Sequence, residues 1–566
     1  MKNRKMPDVR SVWKKYEKDI SFKEQIGLFD TVRENELFYI GKQWEGVEAN
    51  GLPTPVFNFL KRVTMFQVAT ITSDNIAVRV SPMNATKKHT KLSVERITDM
   101  LTEQVSAVFE RNKIATLLRV YARNAAVDGD SALYSYYDPD VENGQEVKGE
   151  LKTEIIENTR VHFGNPNSRE VQSQPYIILS RRLPAEDVRF RAEDNGISAE
   201  EVEQIVPDNE STYTYMDSLN DDRVTLLLYF WRDRETGHIW RYECTAKACV
   251  CEAVDTEAEL YPITWLCWDY IQDSCHGQAS ISGLKPNQIF INRMFAMTMI
   301  SLMTTAYPKV IYDKTRLPGG WDSRVGAAIA VNGGDMNTIA KIMDPATISP
   351  QVSQFIDAAI SYTQNFLGAS DVAMGDARPD NTSAIVALQR AANTPLELTK
   401  QNIYQSVEDL CGIYLDQMRA FYGKRVVEMR GVDNGEKKPF GIDFSEFAFP
   451  REFDFSTIGD IATSVKIDVG ASSYWSEIAS MQTLDNLLMN GRIGTLEYLE
   501  RIPSGYISKK EELIQAIKRQ QAMQAQQMLQ VQQGAPTEQD ASDLPVRAGA
   551  GNGALQRAIA KGGDAV

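Results

Sequence analysis

Apolar residues recur at three-to-four spacing along much of this chain, and in one stretch they fall on every side. From Asn287 onward the sequence N-Q-I-F-I-N-R-M-F-A-M-T-M-I-S-L-M-T-T-A-Y holds neither Gly nor Pro until Pro308. The pattern predicts a helix over Asn287–Ala306, about five turns long. Ser282 or Gly283 stands near its start, and Pro308 bars its continuation. Ile289, Ala296, Ile300 and Met303 share one face, Phe290, Met294 and Met297 a second, and Ile291, Phe295 and Leu302 a third. A helix apolar nearly all round is buried nearly all round. Either it is the middle of a core, or copies of the chain wall it in as a ring. On the second reading Ile289, Phe295, Ile300 and Met303 are subunit contacts. Asn292, Arg293, Thr298, Ser301, Thr304 and Thr305 break the run that a membrane span needs.

Before this stretch the pattern alternates between helix and strand. Residues 8–40 read helical through Val9, Trp13, Tyr16 and Ile20, with Gly41 as a stop. Pro55–Thr72 reads as a buried helix, Ile76–Pro82 as a strand, and residues 90–127 as two helices around Asn112. Asp128–Pro139 opens with the turn D-G-D and continues as an aromatic strand, and residues 140–185 read as strands and turns. Pro184–Gly196 reads as a charged helix, and Ser198 to Glu201 has the form of a capping box. From Val224 two strand runs flank a turn at Thr236–Gly237, and more strands follow to about residue 270.

After Pro308 come a strand, a Gly-rich turn at Pro318–Gly320, and a helix over Ser349–Gly368. A loop, Ala369–Thr382, leads into a long helix, Ser383–Tyr422, in which Pro395 predicts a kink. Residues 423–470 mix turns and strands, and 473–533 read helical and end Gln-rich. From Gly534 to Val566 there is no aromatic residue, a composition that predicts disorder.

Length and charge narrow the function. A chain of 566 residues exceeds one compact core. A net charge of −15 argues against gripping nucleic acid by counterion release, though not against letting DNA slide past. Five of the six cysteines lie between Cys244 and Cys275, and Cys249 and Cys251, two apart, would share a strand face. Their spacing lacks the paired C-x2-C form of a zinc site, so they read as buried thiols of a protein made in a reducing cytoplasm. No nucleotide-binding loop, zinc-protease helix or nucleophile elbow occurs, and no catalytic, cofactor or metal residue is assigned. A rival reading is a metal-dependent hydrolase built on Asp128, Asp130 and Asp138.

The order of elements resembles the portal proteins of tailed bacteriophages. The similar stretches are F-Y-I-G-K-Q-W at Phe38–Trp44, D-G-D-S-A-L-Y-S-Y-Y-D from Asp128, the β module followed by G-Q-A-S-I-S-G-L-K-P-N-Q-I-F-I-N-R, and T-S-A-I-V-A-L-Q-R at Thr382–Arg390. Their order over most of residues 25–425 carries the resemblance, and the C-terminal region matches only in general character. The resemblance implies an α+β, predominantly helical subunit in a ring, usually of twelve, at one capsid vertex. It implies a wing at 1–183 and 308–470, a stem at 184–223 and 273–307, a clip at 224–272, a crown at 471–533 and a tail at 534–566. Residues 369–382, with Asp371, Asp376, Arg378 and Asp380, would be a tunnel loop before the kinked helix 383–422. The clip, through Arg232, Arg234 and Glu235, would dock the motor and later the adaptor. Implied partners are the terminase large subunit, a head-tail adaptor, the major capsid and scaffolding proteins, and passing double-stranded DNA, with no membrane. Assembly in the host cytoplasm and a place in the virion follow, and a capsid-associated scaffold without a channel is a further rival reading.

Overall fold

The structure is a computed structural model. It describes residues 7–73, 76–83, 91–208, 222–306, 309–322, 324, 327–335, 338–342, 351–366, 394–430, 448–461, 463–469, 474–502, 513–514 and 517. The chain divides into two compact units, Met1–Ser473 and Tyr474–Val566.

The first unit opens with α1 (Val9–Gln25) and α2 (Leu28–Ile40). The helical run breaks at Gly27, whose φ of +67° suits glycine, and ends at Gly41. There the Lys42 N–H reaches back to the Leu37 carbonyl at 2.9 Å, so the expected stop is a glycine cap. Helix α3 (Phe59–Ile71) is capped by Asn58, whose side chain accepts from Lys61 N–H at 3.1 Å. Strand β1 (Ile76–Pro82) pairs antiparallel with β14 (Thr463–Val469), near the unit's other end. Helices α4 (Lys91–Arg111) and α5 (Ile114–Asp128) meet around Asn112, as the sequence predicts.

Two sheets then form. Strand β2 (Asp130–Asp138) lies between β3 (Glu150–Glu157) and β9 (Ile263–Cys267). The five-stranded sheet runs β4 (Val161–Phe163), β5 (Tyr176–Pro184), β6 (Arg223–Arg232), β7 (Ile239–Cys244), β8 (Cys249–Asp255). The hairpin β6–β7 turns at Gly237, φ +79°, as expected. The strands of 224–272 do not, however, make a sheet of their own. β6 pairs with β5 along nine residues, and β9 joins β2.

One face of the five-stranded sheet packs on α1 through Val12, Tyr16, Leu227, Tyr229, Tyr242 and Cys244. The other face buries α6 (Ala185–Asp194) and α7 (Ala199–Val202) together with Ala132 and Tyr134 of β2. Helix α6 therefore lies on the sheet. Ser198 leads into α7 without a side-chain cap bond, so the capping box is not formed.

Helix α8 spans Ser280–Ala306 and begins earlier than its pattern suggests. Pro286 falls within it, where only one backbone hydrogen bond is forgone. Then come β10 (Val310–Tyr312), paired with β11 (Ala340–Ile342), and α9 (Gln351–Phe366). Pro395 stands in a single 3-10 turn, Thr394–Leu396, and α-helical geometry begins at Glu397. Helix α10 (Glu397–Phe421) buries Ile403, Val407, Leu410, Tyr414 and Met418 in the largest core, against α4, α5 and β2. Strands β12 (Lys424–Arg430) and β13 (Ala448–Asp454) form an antiparallel pair beside it.

The second unit contains α11 (Tyr474–Met489) and α12 (Thr495–Arg501), separated by a turn at Gly491 with φ +63°. Within it the Tyr498 hydroxyl contacts the Asp485 carboxylate.

Candidate functional site: the central helix and its anchorage

The first half of α8 is rooted in the chain. Ile281, Leu284, Gln288, Ile291 and Asn292 are buried at spacings of three and four, which puts them on one face. Ile281 and Leu284 fill an apolar cluster with Phe38, Leu60, Val63 and Val127, so α2, α3 and α5 all hold this root.

Two polar residues on that face make the attachment specific. The Gln288 amide donates to the Phe57 carbonyl at 2.7 Å, and its Oε1 accepts from Leu60 N–H at 3.3 Å, at the start of α3. Asn292 donates to Gln43 Oε1 at 2.6 Å, and Gln43 donates to the Phe38 carbonyl at 3.0 Å. Trp44 donates its indole N–H to the Pro55 carbonyl at 2.9 Å. The stretch Phe38–Trp44 is thus a bracket around the root of α8. Gln288 and Gln43 were not foreseen as functional. Two amides four residues apart on an apolar helix were the available signal.

The turn D-G-D supplies the second attachment. Asp130, buried at the start of β2, accepts from His276 Nδ1 at 2.8 Å and from Gly277 N–H at 2.6 Å. Burial disfavours the imidazolium, but the bond to Asp130 and the neighbouring Cys275 outweigh it and raise His276 to about 9. Gly129, φ +98°, and Gly277 touch backbone to backbone. A β-carbon on Gly129 would sit 2.7 Å from the Gly277 carbonyl oxygen, and one on Gly277 would sit 2.6 Å from that of Asp269. Asn35 of α2 donates to the Val127 carbonyl at 2.7 Å and to Ser282 Oγ at 3.3 Å, joining both sides. Asp128 next door has an unpartnered buried oxygen, and burial pushes it up to about 8.

This geometry overturns the hydrolase reading. Asp130 and Asp138 sit at opposite ends of β2, roughly 26 Å apart at a strand's rise per residue. Asp138 pairs instead with Lys152. Among the described residues no group of three or more His, Cys, Asp or Glu is placed to hold a metal ion.

Beyond its root α8 changes character. Met297, Met299, Leu302 and Met303 are between 40% and 58% exposed. The four residues expected to make subunit contacts divide. Ile289 packs against the root cluster, and Phe295 stacks on Phe57 with ring centroids 4.0 Å apart. Ile300 is half-buried and Met303 exposed. Helix α9 lies alongside, with Asn287 donating to Thr363 Oγ1 at 2.9 Å, and adds exposed Phe355 and Tyr362.

Residues 181–550 match the model of the phage P22-like portal protein family. The chain belongs to that family. The match runs from the end of β5 into the C-terminal region, which the sequence reading expected to resemble portal proteins only in general character. Among curated proteins none matches the chain. In this portal-family chain, no helix among the described residues is long and apolar enough to cross a membrane.

The residues expected to dock a motor also divide. Arg232 donates to the Gln172 carbonyl at 3.0 Å and the Glu259 carbonyl at 3.0 Å, and its guanidinium lies over the Tyr261 ring. It is a structural clamp between β6 and the segments on either side. Arg234 and Glu235 are exposed in the turn. Asp371, Asp376, Arg378 and Asp380 lie outside the described residues, as do 383–393.

Proposed function

We propose that this chain is the subunit of a portal ring at one capsid vertex, through which viral double-stranded DNA is packaged and ejected. The observation that carries the reading is the apolar outer half of α8. A helix half with four large apolar side chains 40–58% exposed gains on the order of 1 kcal/mol per side chain when a neighbour covers them. A ring of copies supplies that neighbour on both sides of every subunit. A net charge of −15 suits a conduit that must release DNA as readily as it admits it.

On this reading α8 is the stem, rooted in a wing built from the remaining helices and sheets of the first unit, and the second unit belongs to the crown. Helices α6 and α7 go with the five-stranded sheet, because their apolar faces are spent there. The β6–β7 turn faces the terminase motor and later the head-tail adaptor, and residues 369–382 line the channel. The protein contributes shape and surface, and the ATPase is a partner.

The test uses two substitutions that spare the chain's own core. Leu302→Asp and Met303→Asp each put a charge where a neighbour would lie, at a cost of several kcal/mol per subunit if that contact forms. Native mass spectrometry and negative-stain images of the wild type should show rings with a central hole. The variants should keep their circular dichroism and lose the rings. A wild-type protein that stays monomeric at high concentration, or rings without a hole, would overturn the reading, the latter in favour of a scaffold without a channel.

A further inference from the structure

We infer that Cys244 and Cys249 are a cross-strand thiol pair that oxidises reversibly to a disulfide stapling the β7–β8 hairpin. The register places Cys244 opposite Cys249. At the turn that joins the strands, Thr245 N–H donates to the Ala248 carbonyl at 2.9 Å, and Ala248 N–H donates to Thr245 Oγ1 at 3.1 Å. Thr245 and Ala248 are therefore a hydrogen-bonded pair, and in an antiparallel ladder the next pair is not hydrogen-bonded. Such pairs have the closer Cα atoms, about 4.5 Å apart, inside the span of roughly 4.4–6.8 Å that a disulfide bridges.

The two side chains also share a face. Cys244 belongs to the cluster beneath α1, and Cys249 packs against the same cluster. Cys251 does not, which corrects the expectation that Cys249 and Cys251 lie on one face. The register slips between Glu243 and Cys244, so that Glu243 faces Cys251 while Cys244 faces Cys249. One extra residue, Val250, is left over, and it points into the opposite core. Cys251 is carried to that opposite side, beside Arg241 and Glu243. The bulge thus separates Cys249 from its sequence neighbour and leaves it facing Cys244.

The reaction needs an oxidant, and a small-molecule disulfide such as oxidised glutathione suffices. Cys249, the more accessible of the two, loses its proton, and its thiolate attacks one glutathione sulfur and expels one glutathione thiolate. Cys244 then loses its proton, attacks Cys249 Sγ and expels the second. Two protein thiols are oxidised and one glutathione disulfide is reduced to two thiols. Burial pushes both cysteines above the ordinary thiol range, so the exchange is slow, and the pair stays reduced in a reducing compartment. The loop closed is short, so little unfolded-state entropy is removed. The consequence is local: the turn is fixed, and with it the surface that Tyr242 and Cys244 offer to α1. None of this depends on the portal reading.

The full chain, purified reduced, is incubated with oxidised glutathione at pH 8.5, alkylated, cut with trypsin at Lys247 and mapped by mass spectrometry. Two of the six thiols should become resistant to alkylation, and a cross-link should join the peptides on either side of Lys247. Dithiothreitol should reverse both changes. Cys251→Ser should leave the cross-link intact and Cys249→Ser should abolish it. A stable glutathione adduct on Cys249 with Cys244 still alkylatable, or a Cys249–Cys251 link, would overturn the inference, and either is read on the wild-type chain without any variant.

Discussion

His276 meets Asp130 at 2.8 Å, and this contact ties the lead-in of α8 to the first residue of β2. His276 is held at about 9, above its ordinary 6.5, so the folded chain keeps a proton there that the unfolded chain gives up. The pair's contribution is fully present below pH 6.5 and lost as pH rises through about 9. Asp128 acts in the same direction. Burial holds it at about 8 against 3.8, so folding takes up a proton between those values. Stability to urea should therefore fall from pH 6.5 to 9. His276→Gln should flatten the upper part of the fall. Asp128→Asn should raise stability at pH 8 by about 1–3 kcal/mol. A profile that is flat or rises across this range would contradict both assignments.

Gly129 and Gly277 approach too closely for any side chain. Gly277→Ala would place a methyl 2.6 Å from the Asp269 carbonyl oxygen and 2.9 Å from Cys267 Cβ, and backbone on one side cannot yield cheaply. Gly129→Ala adds a strained φ of +98° to a similar clash. Each should cost more than about 2 kcal/mol, read by chemical denaturation. Gly283→Ala, with open space around it, is the control and should change little or stabilise its helix.

Much of this arrangement was legible locally. Gly41 as a stop, Asn112 as a break and Gly237 as a hairpin turn each follow from a residue's own backbone preferences. What joins elements distant in the chain was not. Nothing in Ile76–Pro82 says that its partner is Thr463–Val469, because alternation fixes a strand's faces and not its neighbour. Asp130 read as a turn residue, and only the fold brings His276 to it. The slip at Val250 inverts the face of Cys251, and one extra residue leaves no mark in an alternating pattern. The start of α8 was misjudged because Pro286 was taken as a boundary, whereas it stands seventh in the helix, past the first turn, and forgoes the bond to the Ser282 carbonyl without ending the helix.

Lys23 of α1 is fully enclosed, with 1% of its surface exposed. Its ammonium donates to the Val161 carbonyl at 2.6 Å and the Thr159 carbonyl at 3.1 Å, and pairs with Asp19 at 3.3 Å. Burial alone would raise Asp19, but Lys23 and the bond with His162 bring it to about 2. Lys23→Ala would leave a buried carboxylate and three carbonyls, those of Asn158, Thr159 and Val161, without their cation, and should cost about 3–5 kcal/mol. Urea denaturation gives the number, and limited proteolysis near residue 27 should show whether α1 is released. A loss under about 1 kcal/mol would mean that water replaces the ammonium without penalty.

The turn Arg232–His238 offers the sharpest separation of structure from docking. Arg232 is spent on the carbonyls of Gln172 and Glu259 and on the ring of Tyr261. Arg232→Glu would leave those acceptors unpaired and set a carboxylate beside them, so it should lower stability by about 2 kcal/mol or more. Any loss of motor binding in that variant would be indirect. Arg234 stands exposed in the same turn. Arg234→Glu should leave the melting temperature within about a degree, since surface substitutions of this kind usually stay within about 0.5 kcal/mol. If the turn meets the motor through charge, the same change should slow association and alter its salt dependence. The two variants thus predict opposite pairs of outcomes: unfolding first for Arg232→Glu, and weaker docking on an intact ring for Arg234→Glu. Pull-down of the motor by assembled rings, beside a thermal melt of each variant, reads both. Wild-type docking by Arg234→Glu at every salt concentration would place the motor's footing elsewhere on the ring.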